Sequence, residues 1–182
     1  FKVDPMGTIY IFDEIVYKGT IKDTSREIIT RERTNRLNPE SVIRILDPNK
    51  GRTPSNVTGL RLVEEFAIHA VYFTANVNDD IALGHLAVTE RLSYDKEKPL
   101  GVTNCPKLYL LKSTTKECVK QLLSYVWDDW RDASLRSSKE TPKDINKDLP
   151  DCIRYGVMSN PCWYQDEERG HFTGGGRTGY GR

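Results

Sequence analysis

Two aspartates near the end of the chain stand at a spacing that suits metal chemistry. Asp148 and Asp151 are three residues apart and flank Pro150. Proline is tolerated in the first turn of a helix, where its missing N–H costs no hydrogen bond, and aspartate is favoured at the N-cap, so we predict a helix capped by Asp148. Both carboxylates then lie on one turn, and divalent cations between them would relieve their repulsion. A plain cap followed by an acid that the helix dipole favours is the alternative.

A third candidate carboxylate, Asp47, follows the apolar stretch Ser41–Leu46. That stretch predicts a buried strand, and Pro48 must end it because proline cannot donate to a strand ladder. The last side chain of the strand is then a carboxylate at the carboxyl edge of the sheet, where open α/β sheets collect ligands and catalytic groups. An ordinary Asp-Pro turn is the alternative interpretation.

Asp47, Asp148 and Asp151 together define a candidate two-metal site. Three convergent carboxylates can hold a pair of Mg²⁺ or Mn²⁺ ions about 3.5–4 Å apart, and such a pair aligns the attacking water and the leaving oxygen of a phosphodiester. Basic side chains around the site would hold a DNA backbone without reading its bases. The candidates for that contact are Lys50 and Arg52, shortly after Asp47, and Lys139 and Lys143 in the basic segment 131–147.

Strands and helices alternate along the sequence that must position these residues. Residues 1–18 predict a hairpin whose second strand is Thr8–Phe12. Beyond it, the apolar spacing predicts helices at 25–33, 60–66, 78–92, 114–128 and 148–159, and strands at 41–46, 71–74 and 108–111. This order predicts an α/β domain with a central mixed sheet, helices on both faces and an antiparallel hairpin at the start.

The composition is typical of one polar globular domain. The chain has 182 residues, of which 37% are hydrophobic and 29% are charged, and no apolar run approaches the eighteen or so residues of a membrane span. The net charge of +1 excludes a general basic field, so any contact with nucleic acid depends on local patches. We predict that residues 1–160 form the domain and that residues 161–182, rich in glycine with interleaved arginine and aromatic residues, form a flexible tail.

Other chemistries lack their sequence patterns. No G-x-x-x-x-G-K-[ST] motif occurs, so the chain carries no P-loop. The four cysteines show no C-x-x-C spacing, which argues against a zinc site or a redox pair. His69, His85 and His171 fit no catalytic triad or metal-binding spacing, and we interpret them as ordinary surface or partly buried residues.

The order of these motifs resembles the C-terminal nuclease domain of tailed-bacteriophage terminase large subunits. The similarity extends over residues 1–160, from the hairpin Val3–Glu14, through the strand that ends at Asp47, to the final helix. Its most specific part is the pattern Asp-x-x-Asp-x-x-Arg-Tyr, which begins at Asp148 and ends at Tyr155.

This resemblance implies a ribonuclease H-like fold and metal-dependent endonucleolytic cutting of concatemeric viral DNA during genome packaging. Asp47 would match the strand-end carboxylate of the family, Asp151 would match its last-helix carboxylate, and Asp148 stands where many members have a histidine. The expected partners are double-stranded DNA, a portal protein, a small terminase subunit and an N-terminal ATPase domain of the same protein. The expected location is the host cytoplasm, at the procapsid portal.

One metal ligand of the family has no counterpart in this match. The first strand of the family carries an aspartate that bridges both metals, and that strand would precede Phe1, so we expect the fragment to be one ligand short. Glu14, at the end of a predicted strand, is a candidate substitute, and Asp4, in a predicted turn, is a poor one.

Two further interpretations remain open. The chain could be a non-catalytic α/β module that docks DNA or a portal protein, with its acids serving as helix caps. It could instead be another ribonuclease H-like nuclease, of the integrase or resolvase type, with the same metal chemistry and a different partner.

Overall fold

The computed structural model describes residues 1–125 and 145–163. Within them the chain is a mixed α/β structure with a three-stranded mixed sheet and six helices. The strands are β1 (Lys2–Val3), β2 (Ile9–Ile11) and β3 (Leu108–Leu110). The helices are α1 (Ile21–Thr34), α2 (Pro48–Arg52), α3 (Leu62–Ala67), α4 (Ile81–Leu92), α5 (Lys116–Leu123) and α6 (Asp148–Met158).

The predicted hairpin at the start of the chain is confirmed. The Asp4 carboxylate accepts hydrogen bonds from the backbone N–H groups of Met6 and Thr8, which closes the turn between the two strands. β1 pairs with β2 in antiparallel register, with Lys2 opposite Tyr10. β2 then pairs with β3 in parallel register, with Ile9 opposite Leu108, so the sheet order is β1-β2-β3.

The sheet buries one of its faces against α4, α5 and α6. Side chains alternate across a strand, so Ile9 and Leu108 point to one face and their neighbours Tyr10 and Tyr109 point to the other. The first face forms the core with side chains of the helices, a set that comprises Ile9, Leu108, Cys118, Ile153 and Val157. Tyr10 and Tyr109 stack on each other with their ring centroids 5.6 Å apart, and both remain about 40% exposed. α4, α5 and α6 thus supply the helical layer on the Ile9 face.

A second group of elements contains α1, α2 and α3. α3 packs against both α1 and α2. α1 is capped by Thr20, whose hydroxyl accepts from the Asp23 N–H, and it is tied to the end of the hairpin by Arg31, which lies 3.2 Å from the Asp13 carboxylate. The ion pair between Arg44 and Glu32, with two hydrogen bonds of 2.6 and 2.7 Å, holds the chain before α2 against α1.

The predicted buried strand at residues 41–46 is wrong. Ser41 closes a turn with Asn38, and Ile43 is 72% exposed. Only Ile45 forms a bridge, in parallel with Thr74, so the predicted strand at 71–74 is likewise reduced to one bridge. A β-branched run becomes a strand only when a neighbouring strand accepts its backbone groups, and here the partner segment offers two hydrogen bonds.

The other predicted helices are confirmed in existence, and their ends differ. α1 begins at Ile21 rather than residue 25, α3 covers 62–67, and α4 begins at Ile81 after its cap Asp80. α5 ends at Leu123, and the predicted continuation past residue 125 lies outside the described residues, as do most of the basic segment and most of the predicted tail. None of the described helices combines the length and apolarity that crossing a bilayer requires.

Candidate functional site

The start of α6 carries both late aspartates on one turn, as predicted. Lys147 is the N-cap, and Asp148 is the first helical residue, so the prediction of Asp148 as the cap itself is wrong by one position. The Asp151 N–H donates to the Lys147 carbonyl at 2.8 Å, which closes the first turn. Pro150 lies within this turn and is buried, where its lack of an N–H is harmless.

Asp47 caps a helix that the sequence did not predict. Its Oδ1 accepts hydrogen bonds from the N–H groups of Asn49 at 2.8 Å and Lys50 at 3.2 Å, and Pro48 opens α2. The sequence analysis weighed an Asp-Pro turn here, and an Asp-Pro pair is also a strong helix start. Asp47 thus stands just beyond the Ile45 bridge, at the end of an extended segment, but it ends no regular strand.

The charges of all three aspartates act on Cys152. The pKa of the Cys152 thiol is raised to about 11, first by burial and then by the negative charges of Asp151, Asp148 and Asp47, in that order, while Lys50 opposes the rise. Interactions between charges fade beyond about 10 Å at ordinary salt, so the carboxylates from α6 and from the cap of α2 lie within range of one side chain. Cys152 is an exposed residue, and the site around it is called the recess.

The charges of Asp47 and Asp151 also act on Tyr155. Its pKa is raised, mainly by burial, and the charges of Asp47 and Asp151 contribute to the rise while the guanidinium of Arg154 opposes it. Tyr155 lies one turn after Asp151 on α6, and it is buried. The Asp47 charge therefore acts on two positions of α6, Cys152 and Tyr155.

The donor atoms at this recess are of the type that Mg²⁺ and Mn²⁺ prefer, namely carboxylate oxygens. Asp47 and Asp151 each use Oδ1 for a protein hydrogen bond, and across residues 1–125 and 145–163 no protein group donates to the Oδ2 of either. Over the same residues, no three acidic, cysteine or histidine side chains stand close enough to hold one ion. The donor chemistry therefore matches these cations, but the described carboxylates are not grouped as closely as a metal site requires.

Arg154 belongs to the Asp-x-x-Asp-x-x-Arg-Tyr pattern, but the sequence reasoning gave it no role in the site. Its side chain is 5% exposed, and its Nε and Nη2 atoms both donate to Oδ1 of Asp151, at 3.2 and 3.1 Å. Its Nη1 atom donates to the carbonyl of Asp79, just before α4. The signal that could have identified it is the i, i+3 spacing from Asp151, which places an acid and a base on one helical face.

His85 and Tyr125 lie beside Arg154, in a separate cavity. The His85 Nε2 and the Tyr125 hydroxyl are 2.8 Å apart, and a cavity of about 250 Å³ is lined by these two residues together with Val88, Thr89, Leu122, Pro150, Ile153 and Arg154. Burial lowers the pKa of His85, and the Arg154 charge lowers it further, while Asp151 acts in the opposite direction. Burial raises the pKa of Tyr125 to about 12. Both side chains are therefore held neutral near pH 7.

Two of the four residues predicted to contact DNA, Lys50 and Arg52, lie within the described part of the chain. Lys50 and Arg52 are exposed on α2, and Lys50 lies near enough to the recess to act on Cys152. Arg52 makes a long hydrogen bond of 3.5 Å to the side chain of Asn76. Lys139 and Lys143 lie outside the described residues, so their predicted role stays a prediction.

Glu14 and Asp4, the candidate substitutes for the missing metal ligand, both make structural hydrogen bonds. The Glu14 carboxylate accepts from the N–H groups of Glu117 at 2.9 Å and Cys118 at 2.7 Å, so it caps α5, whose own N-cap residue, Thr115, makes no side-chain capping bond. Asp4 closes the hairpin turn and accepts from the Tyr10 hydroxyl at 3.1 Å. Both carboxylates are therefore already engaged in local structure.

Comparison with known proteins finds no family model, no curated protein and no solved structure that matches this chain.

Proposed function

We propose that this chain is a ribonuclease H-like nuclease domain similar to the C-terminal domain of tailed-bacteriophage terminase large subunits. Its reaction would be two-metal hydrolysis of phosphodiesters in concatemeric viral double-stranded DNA during genome packaging. The observation that supports this proposal is that the charges of Asp47, Asp148 and Asp151 all act on the Cys152 thiol, although they come from parts of the chain about a hundred residues apart.

In this proposal the three aspartates hold the cations, and bound Mg²⁺ or Mn²⁺ supplies the Lewis acidity for attack on the phosphorus. Lys50 and Arg52 contact the DNA backbone from α2, and Lys139 and Lys143 extend that contact from the basic segment. The partners are a portal protein, a small terminase subunit and an ATPase domain of the same protein, and the reaction takes place in the host cytoplasm at the procapsid portal.

The direct test is Mn²⁺-dependent cleavage of supercoiled plasmid by the purified chain and by two variants. Asp47→Asn is preferable to alanine because asparagine caps a helix as well as aspartate, so the variant loses the charge and keeps α2. We expect Asp47→Asn and Asp151→Asn to abolish cleavage while the far-UV circular dichroism stays unchanged.

Asp95→Asn is the matched control for this experiment. Asp95 is a surface aspartate in the loop after α4, where it pairs with Lys98 at 2.9 Å, so the same loss of charge occurs outside the recess. We expect it to retain wild-type cleavage. Full activity in both Asp47→Asn and Asp151→Asn would refute the nuclease proposal.

A non-catalytic α/β module that docks DNA or a portal protein is the second candidate function. It is favoured by the hydrogen bonds of Asp47 to the α2 N-terminus and of Asp151 to Arg154, since both carboxylates already have structural tasks. Crystals soaked in Mn²⁺ separate the two candidates. An anomalous peak among the three aspartates supports the nuclease, and its absence supports the docking module.

A further inference from the structure

The cavity between α4, α5 and α6 has a volume of about 250 Å³, and the proposed nuclease reaction makes no use of it. Protein interiors are packed as closely as organic crystals, so a space of this size within a group of helices is uncommon. Small molecules bind in concave sites of this kind, which are mostly apolar and contain a few convergent polar groups. The apolar part of the wall comes from all three elements and consists of Val88, Leu122, Pro150 and Ile153.

Two neighbouring polar side chains belong to the same wall. The Nε2 atom of His85 and the hydroxyl of Tyr125 are 2.8 Å apart. A hydroxyl can donate one hydrogen bond and accept two, and within residues 1–125 and 145–163 the Tyr125 hydroxyl bonds to His85 alone. It therefore keeps the capacity for a further bond, to a molecule inside the cavity.

The charges around the cavity favour an uncharged ligand. The guanidinium of Arg154 is fixed, because two of its nitrogen atoms donate to Asp151 at 3.2 and 3.1 Å and the third donates to the Asp79 carbonyl at 3.0 Å. Burial holds the pKa of His85 below its ordinary value of 6.5, so the imidazole is neutral at pH 7. An anion that entered the cavity would lose its hydration without gaining an unpaired cation.

The volume and the aromatic wall indicate the size and shape of the ligand. An apolar cavity of about 150 Å³ is enough to bind benzene, so about 250 Å³ has room for one aromatic ring with a small substituent. The rings of His85 and Tyr125 meet edge to face, with centroids 5.4 Å apart and an interplanar angle of 88°. Aromatic rings pack well in such arrangements, so these two side chains suit a third ring beside them.

We propose that the cavity between α4, α5 and α6 binds a small uncharged phenol, whose ring lies against the apolar wall and whose hydroxyl bonds to the hydroxyl of Tyr125. Such binding requires neither a metal ion nor DNA, so it is independent of the proposed nuclease function.

The test is an NMR titration of the ¹⁵N-labelled complete chain at pH 7 with phenol and, separately, with toluene. The two molecules have the same size, and toluene has no hydrogen-bonding group. We expect phenol to bind with a dissociation constant of about 1 mM, as is usual for ligands with so few atoms. The amide signals that shift should belong to α4, α5 and α6.

Tyr125→Phe tests the hydrogen bond, because it removes the hydroxyl and keeps the ring. We expect this variant to bind phenol about five- to tenfold more weakly and to bind toluene no more weakly than the wild type does. Tyr94→Phe is the matched control, since Tyr94 lies after α4, is 42% exposed and does not line the cavity. It should bind both molecules like the wild type.

Thr89→Phe tests the location of the site. Thr89 is an exposed residue of α4 that lines the cavity, so a larger side chain there can fill the space while the core stays intact. We expect it to weaken the binding of phenol and of toluene by about tenfold or more. Thr30→Phe makes the same change at an exposed position of α1 and should have no effect.

Each other outcome overturns a part of the proposal. If neither phenol nor toluene gives saturable shifts, the cavity is not a ligand site. Equal phenol affinity in the wild type and Tyr125→Phe overturns the role of the hydroxyl, and tighter binding of benzoate than of phenol overturns the choice of an uncharged ligand. If Tyr125→Phe fails to fold, Thr89→Phe decides, and unchanged phenol affinity in that variant places the binding site elsewhere.

Discussion

At the scale of single residues, the reactivity of Cys152 measures the charge around the candidate site more directly than any property of the aspartates. Its thiol has a pKa of about 11, and three of the charges that raise this value belong to Asp151, Asp148 and Asp47. A thiolate is the reactive form of cysteine, so the rate of alkylation measures how these charges surround it. Convergence of the three carboxylates can therefore be tested without any metal or substrate.

We predict that Asp47→Asn lowers the pKa of Cys152 and speeds its alkylation at pH 8–9, because one of the charges that disfavour the thiolate is removed. The measurement is the pH dependence of iodoacetamide labelling at Cys152, followed by peptide mass spectrometry. Asp148→Asn should act in the same direction. Since Asp148 lies nearer along the chain, only the response to Asp47→Asn tests the long-range contact.

The control for this labelling experiment is Asp95→Asn, whose charge does not act on Cys152. Cys118 provides an internal comparison, because the pKa of its buried thiol is also about 11 but the carboxylate that acts on it is that of Glu14. Identical labelling of Cys152 in the wild type and in Asp47→Asn would show that Asp47 lies elsewhere.

At the scale of elements, the contact between α4 and α6 carries the candidate site. These two helices share the most extensive helix contact of the described structure, and Gly84 lies at its centre opposite Arg154. Glycine weakens a helix interior by about 1 kcal/mol relative to alanine. Its presence in α4 is explained by the side chain that occupies the place of a Cβ.

We therefore predict that Gly84→Ala destabilises the protein, although alanine is the better helix former. The added Cβ would overlap the middle of the Arg154 side chain, and overpacking of this kind costs about 1–3 kcal/mol, which exceeds the gain in helix propensity. Urea denaturation followed by circular dichroism gives the free energy of unfolding.

Gly101→Ala is the control for Gly84→Ala. No atom lies within 4 Å of the position that a Cβ would occupy at Gly101, so the same chemical change should alter stability by less than about 0.5 kcal/mol. A stabilised Gly84→Ala variant would mean that Arg154 can move away at little cost, and this result would weaken its assignment as a fixed group.

At the scale of the whole molecule, the residues of the candidate site come from two groups of elements. The sheet with α4, α5 and α6 supplies Asp148 and Asp151, whereas the group of α1, α2 and α3 supplies Asp47. The site is complete only while both groups keep their relative position. Any process that loosens their contact is expected to reduce metal binding before it unfolds either group.

The pH dependence of stability follows from His85. Burial, with a contribution from Arg154, holds the pKa of His85 below its ordinary value of 6.5 in the folded state. As the pH falls through 6.5, the unfolded chain takes up the proton first, so the free energy of unfolding decreases below about pH 6.5. Above that pH the histidine is neutral in both states and contributes no pH dependence.

We predict that His85→Gln reduces this loss of stability between pH 7 and pH 5, because glutamine has no proton to gain and can still bond to the Tyr125 hydroxyl. The measurement is the difference in urea midpoint between the wild type and His85→Gln at several pH values. A difference that does not change with pH would contradict the lowered pKa of His85.

Much of the local structure was predictable from the sequence because its causes lie within a few residues. The hairpin depends on the Asp4 turn, α4 begins after Asp80, and Pro150 marks the first turn of α6. In each case a side chain or a proline acts on backbone groups no more than four positions away. The placement of two aspartates on the first turn of α6 follows from the same short-range rule.

What only the tertiary structure decided depends on contacts between distant segments. The apolar run 41–46 has strand-forming residues, but it lacked a partner strand and kept only the Ile45 bridge. Glu14 caps α5 from more than a hundred residues away, and Arg154 reaches Asp79 across α4. The sequence by itself determined where the acids stand along the chain, whereas packing between helices decided which atoms of those acids are already bonded, because a distant donor has no local sequence signal.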